Sequence, residues 1–259
     1  MNVLKFELKQ EIKSALLWGI LLAGLLVFFN LFYPSFKEEA DAFNEMIKLF
    51  PKEVMAGIGI NIDNLFTLEG YYSYVNNYLN LALGIYGLSL ALKTHSREKM
   101  NTASDFLFSK PMSKTKIFIN KVLANVILSC LVFLLMFGSL ILVLHLNETN
   151  LTNTLFKLFG SGFILLSFFY GFGTLMSAFV KRVKNPIGLS TTIVFSFYVL
   201  MMLARVLEND LLKKLSPFGY VDQGDILMGK SFSWWFILIV IAMVIMAGFT
   251  VVRRDVETG

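Results

Sequence analysis

The sequence predicts an all-α polytopic membrane protein, and three observations carry that reading. The chain is 56% hydrophobic and only 16% charged over 259 residues, whereas soluble domains carry about 25% charged residues. Six stretches are apolar over about 20 residues, the length of helix that crosses the hydrocarbon core. Lys and Arg gather in alternate connections between those stretches, as they do in cytoplasmic loops.

The spans are expected at residues 15–33, 71–92, 122–145, 158–180, 187–207 and 234–252, within a single transmembrane domain covering 1–259. Residues 1–14 precede the first span as an interfacial helix, with Leu4, Leu8 and Ile12 on one face and Lys5, Lys9 and Lys13 beside them. The first span is too long in its apolar part for a cleavable signal and is expected to stay as an anchor. Residues 34–70 form a long acidic outer loop. Phe43, Ile47 and Phe50 recur there at helical spacing over 38–50, and Pro51 ends the run.

The second span is less apolar than the others. Tyr72, Asn76, Asn80 and Gly84 repeat every four residues on one face. Two explanations fit: hydrogen bonding between closely packed helices, or a translocation path lined by Tyr72, Asn76 and Asn80. The fifth span contains Arg205, which could snorkel to the outer interface or pair with an acid such as Glu69.

Orientation follows from the basic residues. Fifteen of the 23 Lys and Arg residues lie in the tails and in the loops at 93–121 and 181–184, against seven in the opposite loops. With six spans both termini share a side, so both are expected in the cytoplasm. Positive charge spread this way points to lipid headgroups and no nucleic acid partner.

Several chemistries are missing from the sequence. No G-x-x-x-x-G-K-[ST] stretch is present to cradle nucleotide phosphates, and no H-E-x-x-H stretch to bind a metal. His95 and His145 lie far apart on opposite sides, and lone Cys130 sits in a span. The glycines of "FGSGF" (159–163) suit close helix packing more than a serine nucleophile. The "NET" and "NLT" triplets at 147–152 fit a weak glycosylation pattern on the expected outer side, one that would carry no meaning in a bacterial protein. No catalytic residue, cofactor or metal is therefore assigned to this chain.

The longest cytoplasmic feature, 93–121, is too short for a catalytic domain but long enough for a docking element. A short helix is expected over 95–109, with Phe106, Leu107 and Phe108 crowding its end and Pro111 preventing continuation. Three adjacent apolar residues facing water need a cover. They can dip into the interface or pack on helix ends, or a soluble partner can bury them, at about 25 cal/mol per Å².

The stretch "EKMNTASDFLFSKPMSK" (98–114), followed by Lys121, resembles the signature of type-2 ABC exporter permeases. Glu98, Thr102, Asp105, Leu107, Ser109, Pro111 and Ser113 match that pattern. Asn101 stands in place of a Gly, Phe108 of a Leu, and Lys114 of an Arg. "SPF" (216–218) and "FTVVRRDV" (249–256) add to the resemblance, which extends over essentially the whole chain.

The resemblance implies that the loop carries a coupling helix seated in a groove of separate ABC ATPase subunits. Glu98, Thr102, Asp105, Phe106, Leu107, Phe108, Ser109 and Pro111 would make that contact. ATP and Mg would then be bound by the ATPase, and two membrane subunits, a second copy or a paralogue, would work together. The bundle also looks like permeases that export amphipathic peptide toxins and bacteriocins, including phenol-soluble modulin exporters. Expected cargo is amphipathic or hydrophobic: a peptide, lipid or drug moved out by alternating access. The rival class is a non-transport membrane protein, either an intramembrane enzyme or an assembly scaffold.

Overall fold

A computed structural model describes residues 3–47, 49–60, 64–96, 113–180, 183–231 and 234–253. The helices are α1 (Val3–Glu38), α2 (Ala40–Ile47), α3 (Lys52–Gly57), α4 (Leu68–Ser96), α5 (Lys114–Leu146), α6 (Asn153–Phe179), α7 (Pro186–Val206), α8 (Asp210–Leu215), α9 (Gln223–Leu227) and α10 (Trp234–Arg253). A 3-10 turn at Pro217–Val221 joins α8 to α9. No strand occurs among the described residues.

Four helices, α1, α5, α6 and α7, are long and apolar enough to cross a membrane. α10 is apolar over the shorter Trp235–Thr250. α4 has 29 residues, about 43 Å at 1.5 Å per residue; Asn76, Asn77 and Asn80 dilute its apolar character rather than its length.

Local chemistry starts three of these helices. The Ser113 hydroxyl accepts from the Lys116 amide, Thr152 from Leu155 and the Asn185 carbonyl from Gly188. Each side chain satisfies one of the amides left unpaired in a first helical turn. Pro186 follows Asn185 at the first helical position, where a missing amide costs nothing.

α1 corrects the expectation of a separate interfacial helix over 1–14. One unbroken helix runs from Val3 to Glu38, and its buried stripe is Val3, Glu7, Glu11, Ala15, Gly19, Leu22, Leu26 and Asn30. That four-residue repeat passes from the charged part into the apolar part without a break, so nothing separates the two. The face that turns inward there is the Glu7 and Glu11 face. In the segment 34–70 Pro51 does more than end a helix. α2 stops at Ile47, and Pro51 stands at the N-cap of α3. Ile47, Met55 and Leu65 form a small core with Phe36 and Tyr74, so this loop caps the bundle.

Contacts along the helices fix their directions. Glu7 meets Lys121, Gly19 meets Leu135 and Asn30 meets Asn147, so α1 and α5 run the same way. Ser14 with Lys93, Trp18 with Tyr86 and Asn30 with Tyr72 set α4 antiparallel to α1. α4 and α6 are parallel, through Tyr72 with Phe159 and Leu88 with Gly173. α7 opposes α4, through Asn77 with Arg205 and Gly84 with Val194. α10 follows α6, through Phe168 with Phe236 and Gly171 with Met243. α4 therefore occupies the centre, and its polar face is enclosed by neighbours.

Candidate functional site

The polar stripe on α4 is buried in this chain: Tyr72 and Asn76 are 0% exposed and Asn80 2%. Tyr72 donates its hydroxyl to Asn30 Oδ1 at 2.7 Å. Asn76 Nδ2 donates to the Leu158 carbonyl at 2.6 Å and to Gln223 Oε1 at 2.8 Å. Asn80 Nδ2 donates to Ser161 Oγ at 3.3 Å. Gln223 completes the knot by donating from Nε2 to Ser161 Oγ at 3.0 Å and to the Val221 carbonyl at 2.9 Å.

This is the geometry of interhelical packing. Each of the three residues reaches a partner on α1, α6 or α9. Small residues continue the contact: Gly84 lies against Phe169 and Val194, and Gly87 against the Leu166 carbonyl. Hydrogen bonds of this kind between membrane helices contribute about 0.6 kcal/mol each on average. Asn76 Oδ1 and Asn80 Oδ1 have no hydrogen-bond partner among the described residues.

Above the stripe lies a charged clamp that the sequence reading missed. Arg205, at the end of α7, donates from Nη2 to Asp222 Oδ1 at 2.9 Å and to Asn77 Oδ1 at 3.3 Å. Lys213 on α8 reaches Asp222 Oδ2 at 2.9 Å and Asp225 Oδ2 at 2.8 Å, and Lys230 reaches Asp225 Oδ1 at 2.9 Å. Arg205 thus turns inward instead of snorkelling, because an acid waits on the hairpin at 207–231. Glu69 is engaged elsewhere, accepting from the Thr152 hydroxyl at 2.6 Å.

Burial pushes the Asp222 carboxyl upward, but Arg205 and Lys213 together hold it below its ordinary value. Burial pushes Lys213 down, and Asp222 and Asp225 outweigh it, so its ammonium titrates above the usual range. Gly59, at φ 81°, passes beside the Arg205 guanidinium; a Cβ there would lie 2.7 Å from Nη1. The outer loop and the clamp are thereby in direct contact. A lone Arg near a span end was the available signal, and it called for a search of every outer acid rather than the nearest.

At the opposite end, Glu98, Thr102, Asp105, Phe106, Leu107, Phe108, Ser109 and Pro111 lie outside the described residues. Their flanks are described. The Thr94 hydroxyl donates to Asn125 Oδ1 at 3.2 Å, Asn125 Nδ2 donates to the Tyr170 hydroxyl at 3.3 Å, and His95 Nε2 lies 3.4 Å from that hydroxyl. The last turn of α4 is therefore tied to both α5 and α6.

Between α5, α6 and α10 a cleft of about 250 Å³ is lined chiefly by Val126, Phe163, Leu166, Val240, Ile241 and Val244. Its lining is mostly apolar, with Ser129, Ser167 and Tyr170 among it, and suits an apolar group. No group of three or more His, Cys, Asp or Glu side chains could hold a metal among the described residues.

Residues 1–220 match the family model described as ABC-2 family transporter protein. No curated protein and no solved structure matches the chain.

Proposed function

The chain belongs to the ABC-2 family of transporter proteins, and we propose that it is the membrane subunit of an exporter for amphipathic or hydrophobic cargo. It spans the bacterial cell membrane six times with both termini inside. A separate ATPase, carrying ATP and Mg, docks on the loop at 93–121. A second permease subunit completes the assembly, and alternating access moves the cargo outward.

The observation that carries this reading is the extent of the family match. It runs through residue 220 and so includes the whole of 93–121 together with the first five expected spans. The alternating directions of α1, α4, α5, α6, α7 and α10 support six crossings. The apolar cleft between α5, α6 and α10 supports a cargo with an apolar part.

Affinity capture of the detergent-solubilised chain from its own host tests the docking. An ATPase subunit with a phosphate-binding loop should be recovered, and replacing Phe106→Asp with Leu107→Asp should abolish that recovery without affecting insertion. Undiminished recovery would remove the docking element from 106–107. ATP-dependent accumulation of a fluorescent amphipathic peptide in inverted vesicles tests the cargo class, and accumulation equal to ATP-free controls would reject it.

A further inference from the structure

Lys121, Glu7 and Thr94 come from three different helices and meet in the interior. Lys121 Nζ on α5 donates to the Thr94 carbonyl, in the last turn of α4, at 3.0 Å. The same ammonium is 4.0 Å from Glu7 Oε1 on α1. Lys121 is 3% exposed and Glu7 4%. Lys93 adds a second tie from α4 to α1 through Ser14 Oγ at 3.4 Å.

The position of this cluster in the chain is what gives it meaning. α4 delivers the chain to segment 97–112 and α5 receives it. Lys121 therefore joins the two helices that flank that segment, and Glu7 attaches α1, the longest helix, to the same point. Terminal carbonyls of a helix have no partner within it and favour a cation nearby; here that cation comes from the neighbouring helix.

A buried ion pair is poor evidence for stability, because an apolar pair of the same shape often does as well. Separating the two charges in a dry site is costly, however, so the pair resists parting of the helices that carry it.

We propose that Lys121 is a positioning residue that makes α1, α4 and α5 move as one body when the loop between α4 and α5 is displaced. This rests on the reading that the loop docks an ATPase. Displacement of the loop pulls on the α4 carbonyl end and the α5 start together, and Glu7 carries that displacement into α1. Without the ammonium, the direct tie between the two flanks of the loop is lost and α1 follows through Lys93 and Ser14 and side-chain packing alone.

The test uses the full chain in complex with its ATPase, reconstituted in nanodiscs in a Cys130→Ala background. Spin labels at Leu17→Cys on α1 and Leu203→Cys on α7, both exposed, report the distance change on adding ATP and vanadate. Lys121→Met should still recover the ATPase, but the ATP-driven distance change should be largely lost. Lys121→Arg should retain it.

A Lys121→Met chain whose distance changes as the parent's does would overturn the proposal. Loss of the ATPase from that variant would overturn it too, by making the pair part of the docking surface. If Lys121→Met fails to insert, Glu7→Gln gives the same readout with the shape preserved. Failure of the parent chain to recover any ATPase would instead reject the docking reading itself, and the proposal with it.

Discussion

Arg205 and Asp222 meet at 2.9 Å where the end of α7 touches the start of α9. They are 17 positions apart in the chain, joined by irregular chain and short helix. Their side chains are 13% and 8% exposed, so the pair is largely removed from water. Lys213 closes on the other oxygen of the same carboxylate, and Gln223, next in sequence, enters the space between α4 and α6. The hairpin is therefore held by charge at its rim and by an amide at its tip.

Removing the acid of that pair should cost more than removing both partners. Asp222→Asn alone leaves the Arg205 guanidinium uncompensated in a dry site, at about 3–5 kcal/mol, whereas Arg205→Met leaves Asp222 its Lys213 partner and should cost less. The double variant should recover much of the Asp222→Asn loss, because no ion is then stranded. Thermal unfolding of the purified chain in one detergent would show it. Equal destabilisation by Asp222→Asn and the double would mean that the pair does not act as a unit.

The clamp also sets an acid limit. The Asp222 carboxyl titrates below its ordinary value of 3.8 in the folded chain. Its contribution is thus fully present above that ordinary value and is lost as pH falls through the lower folded value. Lys213 behaves in the opposite sense. Its folded value lies above 10.5, so its contribution is present below that pH and disappears as pH rises through the folded value. Melting temperatures against pH should show an acid limb in the parent chain that is flattened in Asp222→Asn. An unchanged limb would assign acid loss to other carboxylates.

The long helices α1, α5, α6 and α7 were legible in the sequence because long apolar runs mark where helices can be buried in lipid. The caps at Ser113, Thr152 and Asn185, which fix where three helices start, were not read there. The stripe of Tyr72, Asn76 and Asn80 was visible as a period of four. Its partners were not, since Gln223 lies 147 residues from Asn76 and no periodicity encodes such a pair. Asp222 was hidden for the same reason, in a segment with no regular repeat. The continuity of α1 could have been found: Glu7 and Glu11 fall in step with Ala15 and Gly19. Charge at those positions directed attention to the Leu4, Leu8 and Ile12 face instead.

Two glycines on the central contact should respond differently to an added methyl. In Gly162→Ala the new Cβ meets Asn80 Oδ1 and Leu83 Cδ1 at 2.8 Å, both side-chain atoms that can shift. In Gly87→Ala it meets the Leu166 carbonyl oxygen at 2.5 Å, which is backbone of α6 and can move only with the helix. Overpacking costs about 1–3 kcal/mol, so Gly87→Ala should approach the upper figure and Gly162→Ala the lower. Truncating Asn80→Ala should relieve Gly162→Ala and leave Gly87→Ala unimproved. Unfolding midpoints of the four variants would decide it, and equal costs for the two glycines would contradict the close approach of α4 to α6.

Side of the membrane is the prediction on which docking depends. The helix directions place Ser113, at the start of α5, at the same end of the bundle as the start of α1. They place Asn209, just beyond α7, and Glu148, just beyond α5, at the other end. All three are exposed. Contacts alone settle which residues share an end, and the excess of Lys and Arg at the Ser113 end assigns that end to the cytoplasm. In a Cys130→Ala background, a membrane-impermeant maleimide added to intact cells should label Asn209→Cys and Glu148→Cys and spare Ser113→Cys until the cells are opened. Labelling of Ser113→Cys from outside would put the loop beyond the reach of any cytoplasmic ATPase, while labelling of Asn209→Cys and Ser113→Cys from the same side would contradict the helix directions themselves.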